Sequence, residues 1–451
     1  MTATRTALGG TGSFARGIHP PERKHFAEDA HIEVLPTPDQ IALPLLQHIG
    51  APCEMVVKKK QEVALGEMVG KAGGFVSSPV HASLAGKVVG PSSATLPNGR
   101  RVRTVVIKAE GPQLAGQALL ADVLGGDWPT DGLAQYGPKQ IADAVCDAGI
   151  VGQGGAAFPT HVKLIPNEQS PIDTILINGC ECEPYLTADH RLMVEAPGAV
   201  VAGALLAARA NGAERIIVAI EDNKPDAIAS MRRAAEPAGV QVAELHTKYP
   251  MGGERQTVLA VTGRTVPTTG IPLAVGVVVM NVGTSAAVAR AVLRAKPLTH
   301  RVVTVTGAGV GEHKNLLVPI GASYARLIAY CGGLLPNAAR VVAGGPMMGF
   351  TIGDLNTPVT KGTSGVTVLT DRDVARAAET NCVRCGRCVD VCPLNLVPTK
   401  MALAARNEDW ALARRYHIQA CMECGCCAYT CPGGLPLVQL IRVGKAKMPR
   451  D

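Results

Sequence analysis

The sequence predicts a multidomain α/β protein, and three observations carry that expectation. The chain has 451 residues, too many for one core and enough for roughly two to four domains. Residues 174–294 alternate short apolar runs with helical runs, the pattern of a parallel sheet flanked by helices. The last 70 residues hold nine of the 14 cysteines, which marks a separate metal module rather than scattered core thiols. Composition agrees: 47% hydrophobic, with 50 glycines and 32 prolines but only 3% aromatics. That suits tight turns between compact cores and argues against aromatic base-stacking surfaces. A net charge of +7 without any long basic run gives no reason to expect nucleic-acid binding. The start, MTATRTALGG, lacks the apolar core of a signal peptide, so a disulfide framework is not expected. The uncharged tract 266–289 is interrupted by Pro267, Pro272, Gly276, Asn281 and Gly283 and falls short of the roughly 20 apolar residues of a membrane span.

In chain order, residues 30–110 read as short strands broken by turns, with 56–63 and 76–89 as two related halves. This resembles a biotinyl/lipoyl-type barrel-sandwich hybrid. A swinging carrier needs a lysine at the central hairpin, where this chain has PVHASLAG; a docking or structural role is expected instead, with His81 at the surface or in a turn. Residues 141–150 have helical spacing (Ile141, Val145, Ala148). They lead into GQGGAAFPTHVKL, where Gly152, Gly154 and Ala157 formally match a dinucleotide fingerprint. A strand should precede that motif and a helix does, so a plain Rossmann reading fails. The glycines keep their physical use: bare amides can approach a phosphate or a flat ring, and Lys163 adds a cation. A strand at 174–177 then ends in Asn178, Glu181 and Glu183, at the sheet edge where open α/β folds bind ligands. A helix over 198–210 leads to strands at 215–222 and 240–245, the second running into the glycine turn YPMGGERQ. A fourth strand, 273–280, ends in NVGT, whose Asn281 and Thr284 line the start of the next helix. Four loops converge on one edge, which points to a nucleotide-like cofactor pocket; the bland alternative is that each glycine turn is only a turn. Residues 301–350 alternate as a hairpin followed by a helix, and 357–365 reads as a linker.

The cysteines come in two runs. Cys382, Cys385, Cys388 and Cys392 follow C-x2-C-x2-C-x3-C-P, and Cys421, Cys424, Cys427 and Cys431 repeat it. This is the spacing of bacterial two-cluster ferredoxins, in which the fourth cysteine of each run serves the other cluster. Cys382, Cys385, Cys388 and Cys431 are then expected to hold one [4Fe–4S] cluster, and Cys421, Cys424, Cys427 and Cys392 the other. Zinc sites use separated C-x2-C pairs, unlike these triplets. Cys426 falls off the spacing and reads as a packed thiol, with a redox or spare-ligand role as the alternative. Cys180 and Cys182 form a C-x-C that reads as packed thiols, with metal binding as the alternative. The segment between the runs, MALAARNEDWALARRYHIQ, has strong helix formers and no glycine or proline, predicting one helix.

The strings GxGGAAFPTxxK, NGxECEPYLTxDxRLM, YPxGGE and NVGT resemble the flavin- and NADH-binding subunit of respiratory complex I. With GIHPPERK, QHIGAP and the paired cysteine runs, the chain resembles more closely the C-subunit family of Rnf, the ion-pumping NADH–ferredoxin oxidoreductase. That resemblance implies an N-terminal extension (1–29), a barrel-sandwich hybrid domain (30–115), a complex-I-type Rossmann-like FMN domain (130–300), a small β-grasp (SLBB) domain (301–355) and a helical dicluster ferredoxin-like domain (366–451). It implies two [4Fe–4S] clusters, noncovalent FMN, and NAD(H) as substrate. Carried over residue by residue, Gly152, Gly154, Gly155, Lys163, Asn178, Glu181, Gly252, Gly253, Asn281 and Thr284 become FMN contacts. Phe158 lies on the NADH side of the cofactor, with Glu183 and Glu254 as the catalytic candidates orienting the nicotinamide. The sequence departs from the complex I pattern at Cys180 and Gly253, where acids are expected, and after Lys163, where Leu164 and Ile165 replace an aromatic. The implied setting is the cytoplasmic face of the bacterial inner membrane, where the chain is peripheral and sits beside membrane-embedded and ferredoxin-like iron–sulfur subunits. Two alternatives are a soluble flavin/iron–sulfur reductase serving another acceptor, such as a corrinoid, and a flavin-free iron–sulfur conduit.

Overall fold

The centre of the chain is a four-stranded parallel sheet of Thr174–Asn178, Arg215–Glu221, Gln241–Leu245 and Val277–Asn281, in the spatial order third, second, first, fourth. The computed structural model describes residues 9–166, 171–268, 270–374 and 378–449. Within the sheet, Ile175 and Ile177 enter one core while Leu176 between them enters the opposite one. Burial on both faces is why these strands are continuous apolar runs rather than alternating ones. Helices Pro197–Asn211 and Val282–Arg294 cover one face so closely that a Cβ on Gly203 would stand 1.8 Å from the Ser285 carbonyl oxygen. The fourth strand starts later than its hydrophobicity predicts. Pro272–Val275 form a 3-10 turn, and Gly276, at φ +74, redirects the chain before Val277. Proline has no N–H for a ladder, so the apolar run could not all be strand.

Two small antiparallel sheets make up the barrel-sandwich domain. One holds Gln40–Pro44, Arg101–Ala109, Gly86–Thr95 and Glu62–Val63; the other holds Glu54–Met55, Met68–Lys71 and Val80–His81. His81 is not the surface or turn residue expected. It pairs opposite Met68 within a strand and is buried, and burial together with nearby Lys361 pushes its pKa down to about 3.

The expected hairpin is formed by His300–Thr306 and Lys314–Pro319, followed by helix Tyr324–Tyr330. The sheet around it has six strands and recruits chain from outside 301–355. Ile32–Val34 joins in parallel beside Lys314–Pro319, and Gly365–Thr370 lies between His300–Thr306 and Ala338–Ala343. The segment 357–365 is therefore not a linker: Val359 is a core residue of this domain, and its last residue, Gly365, opens the strand Gly365–Thr370. Its glycines and threonines look like a linker only while their sheet neighbours are unknown.

The cysteine module has two equivalent halves. Short helices Arg387–Asp390 and Cys426–Tyr429 follow Gly386 and Gly425, at φ +80 and +85. The predicted single helix between the runs is two, Pro398–Arg406 and Trp410–Arg415. Glu408 at φ +54 breaks it, and the Asp409 carboxylate accepts from Leu412 N to cap the second piece, a stop-and-restart that favours a short polar cap residue.

Residues 9–31 strap these modules together. Ile18 and Tyr249 exchange backbone hydrogen bonds, Gly17 N donates to Val391 O in the cysteine module, and Tyr185 N donates to Glu22 O. A second tie is Lys361. Its ammonium is buried and donates to Pro79 O at 2.5 Å and Gly149 O at 2.7 Å, joining the β-grasp, barrel and parallel-sheet domains. Desolvation pulls its pKa down to about 7. Lys361→Met strands two buried carbonyls and is expected to cost roughly 2–4 kcal/mol. Chemical denaturation of the variant checks this; an unchanged midpoint would show that these contacts hold nothing.

Candidate functional site

The register of the parallel sheet builds the site. Asn178 lies opposite Asn281 at the C-terminal edge, so the first and fourth loops start side by side, and the glycine loop crosses above them. Gln153 N donates to Thr284 Oγ1, and Gln153 Nε2 to Gly283 O. Gly154, Gly155 and Ala156 are exposed. A Cβ on Gly154 would approach Asn281 Cβ to 3.1 Å, and Gly155 sits at φ +144, a conformation natural to glycine. Lys163, on the helix after the loop, donates to Val279 O at 3.1 Å and pairs with Glu254 Oε1 at 3.0 Å.

The predicted site residues separate into two groups. Gly152, Gly154, Gly155, Phe158, Lys163 and Glu254 form the open mouth: the glycine loop is largely exposed, Phe158 half-buried and Glu254 exposed. The second group is committed to holding the loops. Asn178 donates to Gly252 O and accepts from Cys180 N. Asn281 accepts from Gly283 N, capping its helix, and donates to Asp189 Oδ2. Glu181, at φ +44, uses both oxygens on Asp189 N and His190 N. These side chains frame the cradle and have few polar atoms left to offer a ligand. Gly252 and Gly253 pack close on Cys182, Gln256 and Met422. The buried Gln256 Oε1 has no partner among the described residues.

Glu183 is tied to another domain: its carboxylate accepts from Met347 N and Met348 N of the β-grasp domain at 3.1 and 2.7 Å. Desolvation pushes its pKa up to about 7 against those two bonds and the nearby Lys24. Lys24 is a residue that sequence reasoning missed. It is buried and donates to the carbonyls of Glu181, Glu183 and Leu186, at 2.8, 3.2 and 2.7 Å. Its only signal was membership of the string GIHPPERK. Asp189 was also missed; burial and the neighbouring Glu181 raise its pKa to about 7. Cys180 is a fully buried thiol among core side chains, as its packed reading expects.

The second cysteine run docks directly on this site. Tyr249 Oη donates to Cys424 O at 2.7 Å, and a Cβ on Gly253 would meet Met422 Cε at 2.6 Å. Cys388, Cys392 and Cys427 share one buried cluster, with Cys382, Cys421 and Cys431 packed against it. Backbone amides serve these sulfurs: Leu396 N donates to Cys392 Sγ and Glu423 N to Cys421 Sγ, both at 3.4 Å. In the other half, Thr380 N donates to Gly433 O, laying the chain before Cys382 beside the chain after Cys431. Cys426 is fully buried next to Cys424. Burial raises the Cys421 thiol to about 11, so ligation releases protons.

The donor sets fit the groups they imply. Bare glycine amides, a lysine and two helix starts suit an anionic, flat cofactor; eight cysteines in two runs of dicluster spacing suit two cubane clusters. A fold of this kind, with the two kinds of site in contact, belongs to the flavin–iron–sulfur electron-transfer proteins. Residues 145–290 match the Nuo51 FMN-binding domain, 12–112 the RnfC barrel sandwich hybrid domain, 302–351 the SLBB domain and 378–435 the 4Fe-4S dicluster domain. The C subunit of the proton-translocating ferredoxin:NAD(+) oxidoreductase complex of Clostridium ljungdahlii is 41% identical, over 89% of this chain and 86% of its own. The Na(+)-translocating counterpart of Acetobacterium woodii is 41% identical, over 88% of each chain. The C subunit of the ion-translocating oxidoreductase complex of Rhodobacter capsulatus is 40% identical, over 97% and 83%. The chain belongs to the family of C subunits of ion-translocating oxidoreductase complexes.

Two outcomes follow from this geometry. Because Glu183 is raised from 4.5 to about 7, the folded chain holds an extra proton between those values. Its contribution to stability is full below about pH 4.5 and lost as pH rises through about 7. Glu183→Gln is expected to flatten that part of the stability profile, read by denaturant titration at about pH 5 and about pH 7.5. Cys392→Ala is expected to remove or convert the cluster held by Cys421, Cys424 and Cys427. EPR that finds only the first-run cluster altered would refute the crossed quartets.

Proposed function

We propose that this chain is the NADH-facing subunit of a membrane-associated, ion-translocating Rnf complex, exchanging electrons between NAD(H) and the ferredoxin side of that complex. The observation that carries this reading is the seating of the Cys421–Cys427 loop on the glycine turn of the flavin domain, through Tyr249 and Met422. Bound FMN would supply the exchange between two-electron hydride chemistry and one-electron cluster chemistry.

The residues divide the remaining work. The amides of Gly154, Gly155 and Ala156 would hold the flavin's phosphate or ring edge, and the helix starts at Glu254 and Val282 add favourable dipoles. Lys163 would supply positive charge beside an anionic reduced flavin, with Glu254 keeping its ammonium at the mouth. Phe158 and Glu254 would orient the nicotinamide nucleotide. Asn178, Glu181, Asn281 and Thr284 would hold the four loops rigid around the pocket. The quartet of Cys421, Cys424, Cys427 and Cys392 would stand next to the pocket. The quartet of Cys382, Cys385, Cys388 and Cys431 would stand at the outer end of the path. The partners would be the membrane-embedded and iron–sulfur subunits of the complex, with the chain peripheral on the cytoplasmic face. Among the described residues no single helix is long and apolar enough to cross a membrane.

The test is an anaerobic NADH titration of the chain reconstituted with iron, sulfide and FMN, beside Gly154→Val. Wild type is expected to bind one FMN, bleach with NADH and then show reduced-cluster EPR signals. Gly154→Val, lacking room against Asn281, is expected to lose FMN at least about tenfold in affinity while keeping its iron. Stoichiometric FMN in the variant would sink the cradle, and clusters without flavin in the wild type would favour the conduit reading.

A further inference from the structure

The two cysteine loops are equivalent in backbone but opposite in surroundings. Arg384 and Glu423 occupy the same place, between the first and second cysteines of each run, and both have positive φ, +55 and +61. Val383 and Met422 likewise correspond. In the second loop Met422 is packed onto Gly253 of the flavin domain, and Glu423 is paired with Arg442 and Lys445 at 3.0 and 2.6 Å. In the first loop the same positions face outward. Val383 is 67% exposed, and Arg384, Cys385, Gly386 and Arg387 are all exposed.

We propose that the face around the Cys382–Cys388 loop is the docking surface for an iron–sulfur protein or domain that carries an acidic rim around its own cluster. The proposal rests on reading the cysteine runs as cluster ligands. Cys385 is the exposed one of the eight ligand cysteines, so this is where a cluster edge comes closest to solvent and a redox partner gains most by approaching. The rim is basic. Arg384 and Arg387 flank Cys385, and exposed Arg16 donates to Val389 O on the helix that follows the loop. Exposed Lys400 follows Thr399, which hydrogen-bonds Cys388. Among the described residues, Asp390 stands against these cations, while nearby Glu379 is already paired with Arg406. A basic rim around an exposed apolar contact and a redox ligand fits an acidic electron-transfer partner; complementary charge of this kind speeds encounter and fixes orientation. The second loop shows what this loop type does when its partner is in the same chain: the apolar residue after the first cysteine packs on the partner domain, while Glu423 is neutralised within the cysteine module by helix Leu437–Lys447.

The experiment uses the full reconstituted chain and, as probe, an acidic bacterial ferredoxin with two [4Fe–4S] clusters. Affinity is measured by calorimetry at low and high salt, and interprotein electron transfer by stopped flow. Wild type is expected to bind, and to weaken with salt. Arg384→Glu with Arg387→Glu is expected to weaken binding at least about tenfold at low salt, with the chain's own cluster signals unchanged. Lys400→Glu, outside the cysteine loop, is expected to move in the same direction by less, which keeps the test valid if the double variant assembles poorly. Lys108→Glu, an exposed site in the barrel domain, is the control for general charge. Equal affinity in Lys400→Glu, the double variant and wild type overturns the proposal. So does binding to vesicles containing anionic phospholipid that the same substitutions abolish while ferredoxin affinity stays unchanged. Failure of the flavin reading would show instead as wild-type clusters that NADH leaves oxidised, with the affinities unaffected.

Discussion

The hydrogen bond from the Tyr249 hydroxyl to the Cys424 carbonyl is the contact on which the molecule's organisation turns. Tyr249 is 2% exposed, so its hydroxyl must find a partner inside the protein, and it finds one in the cysteine module. A buried donor left without that acceptor would cost on the order of 1–3 kcal/mol. The bond therefore fixes the second cluster loop against the glycine turn, and Ile18 of the N-terminal strap locks Tyr249 from the other side. The cysteine loop and the glycine turn are thus held together by packing and hydrogen bonding.

Around this contact the chain uses buried charges as interdomain bolts. Lys24 is enclosed by three carbonyls of the carboxylate turn, Lys361 by carbonyls from two other domains, and Glu183 by two amides of the β-grasp domain. Each is an ion removed from water, and each is acceptable only because its hydrogen bonds are directional and nearly complete. Such ties are weak evidence for extra stability but strong constraints on geometry, since a shifted domain would strand a charge. The displaced pKa values of Glu183 and Lys361, both near 7, report the same desolvation.

The site shows a division that the motif alone conceals. Residues in one short string do unlike jobs: Asn178 and Glu181 tie loops to one another, whereas Glu183 ties two domains. The open side of the site presents glycine amides, Lys163, Phe158 and Glu254. Polar side chains at a strand's C-terminal edge are scarce and valuable as braces. A pocket lined by exposed backbone needs its loops held by something else.

The sequence by itself determined the parts whose chemistry is local. Cysteine spacing fixes which sulfurs share a loop, glycines mark where backbone is bare, and uninterrupted apolar runs mark strands buried on both faces; four strands of the central sheet and both cysteine runs were legible for that reason. The tertiary structure alone decided what depends on partners distant in sequence. Nothing in GTSGVTVLT says that residues 365–370 lie between strands His300–Thr306 and Ala338–Ala343, because a strand's role is set by the neighbours that complete its hydrogen bonds. Nothing in ECEP says that Glu183 points to Met347 and Met348, 164 and 165 residues away. Nor does an isolated Lys24 or His81 announce burial. Hydrophobic pattern records whether a side chain prefers water; it does not record which carbonyl, amide or domain will stand in for it.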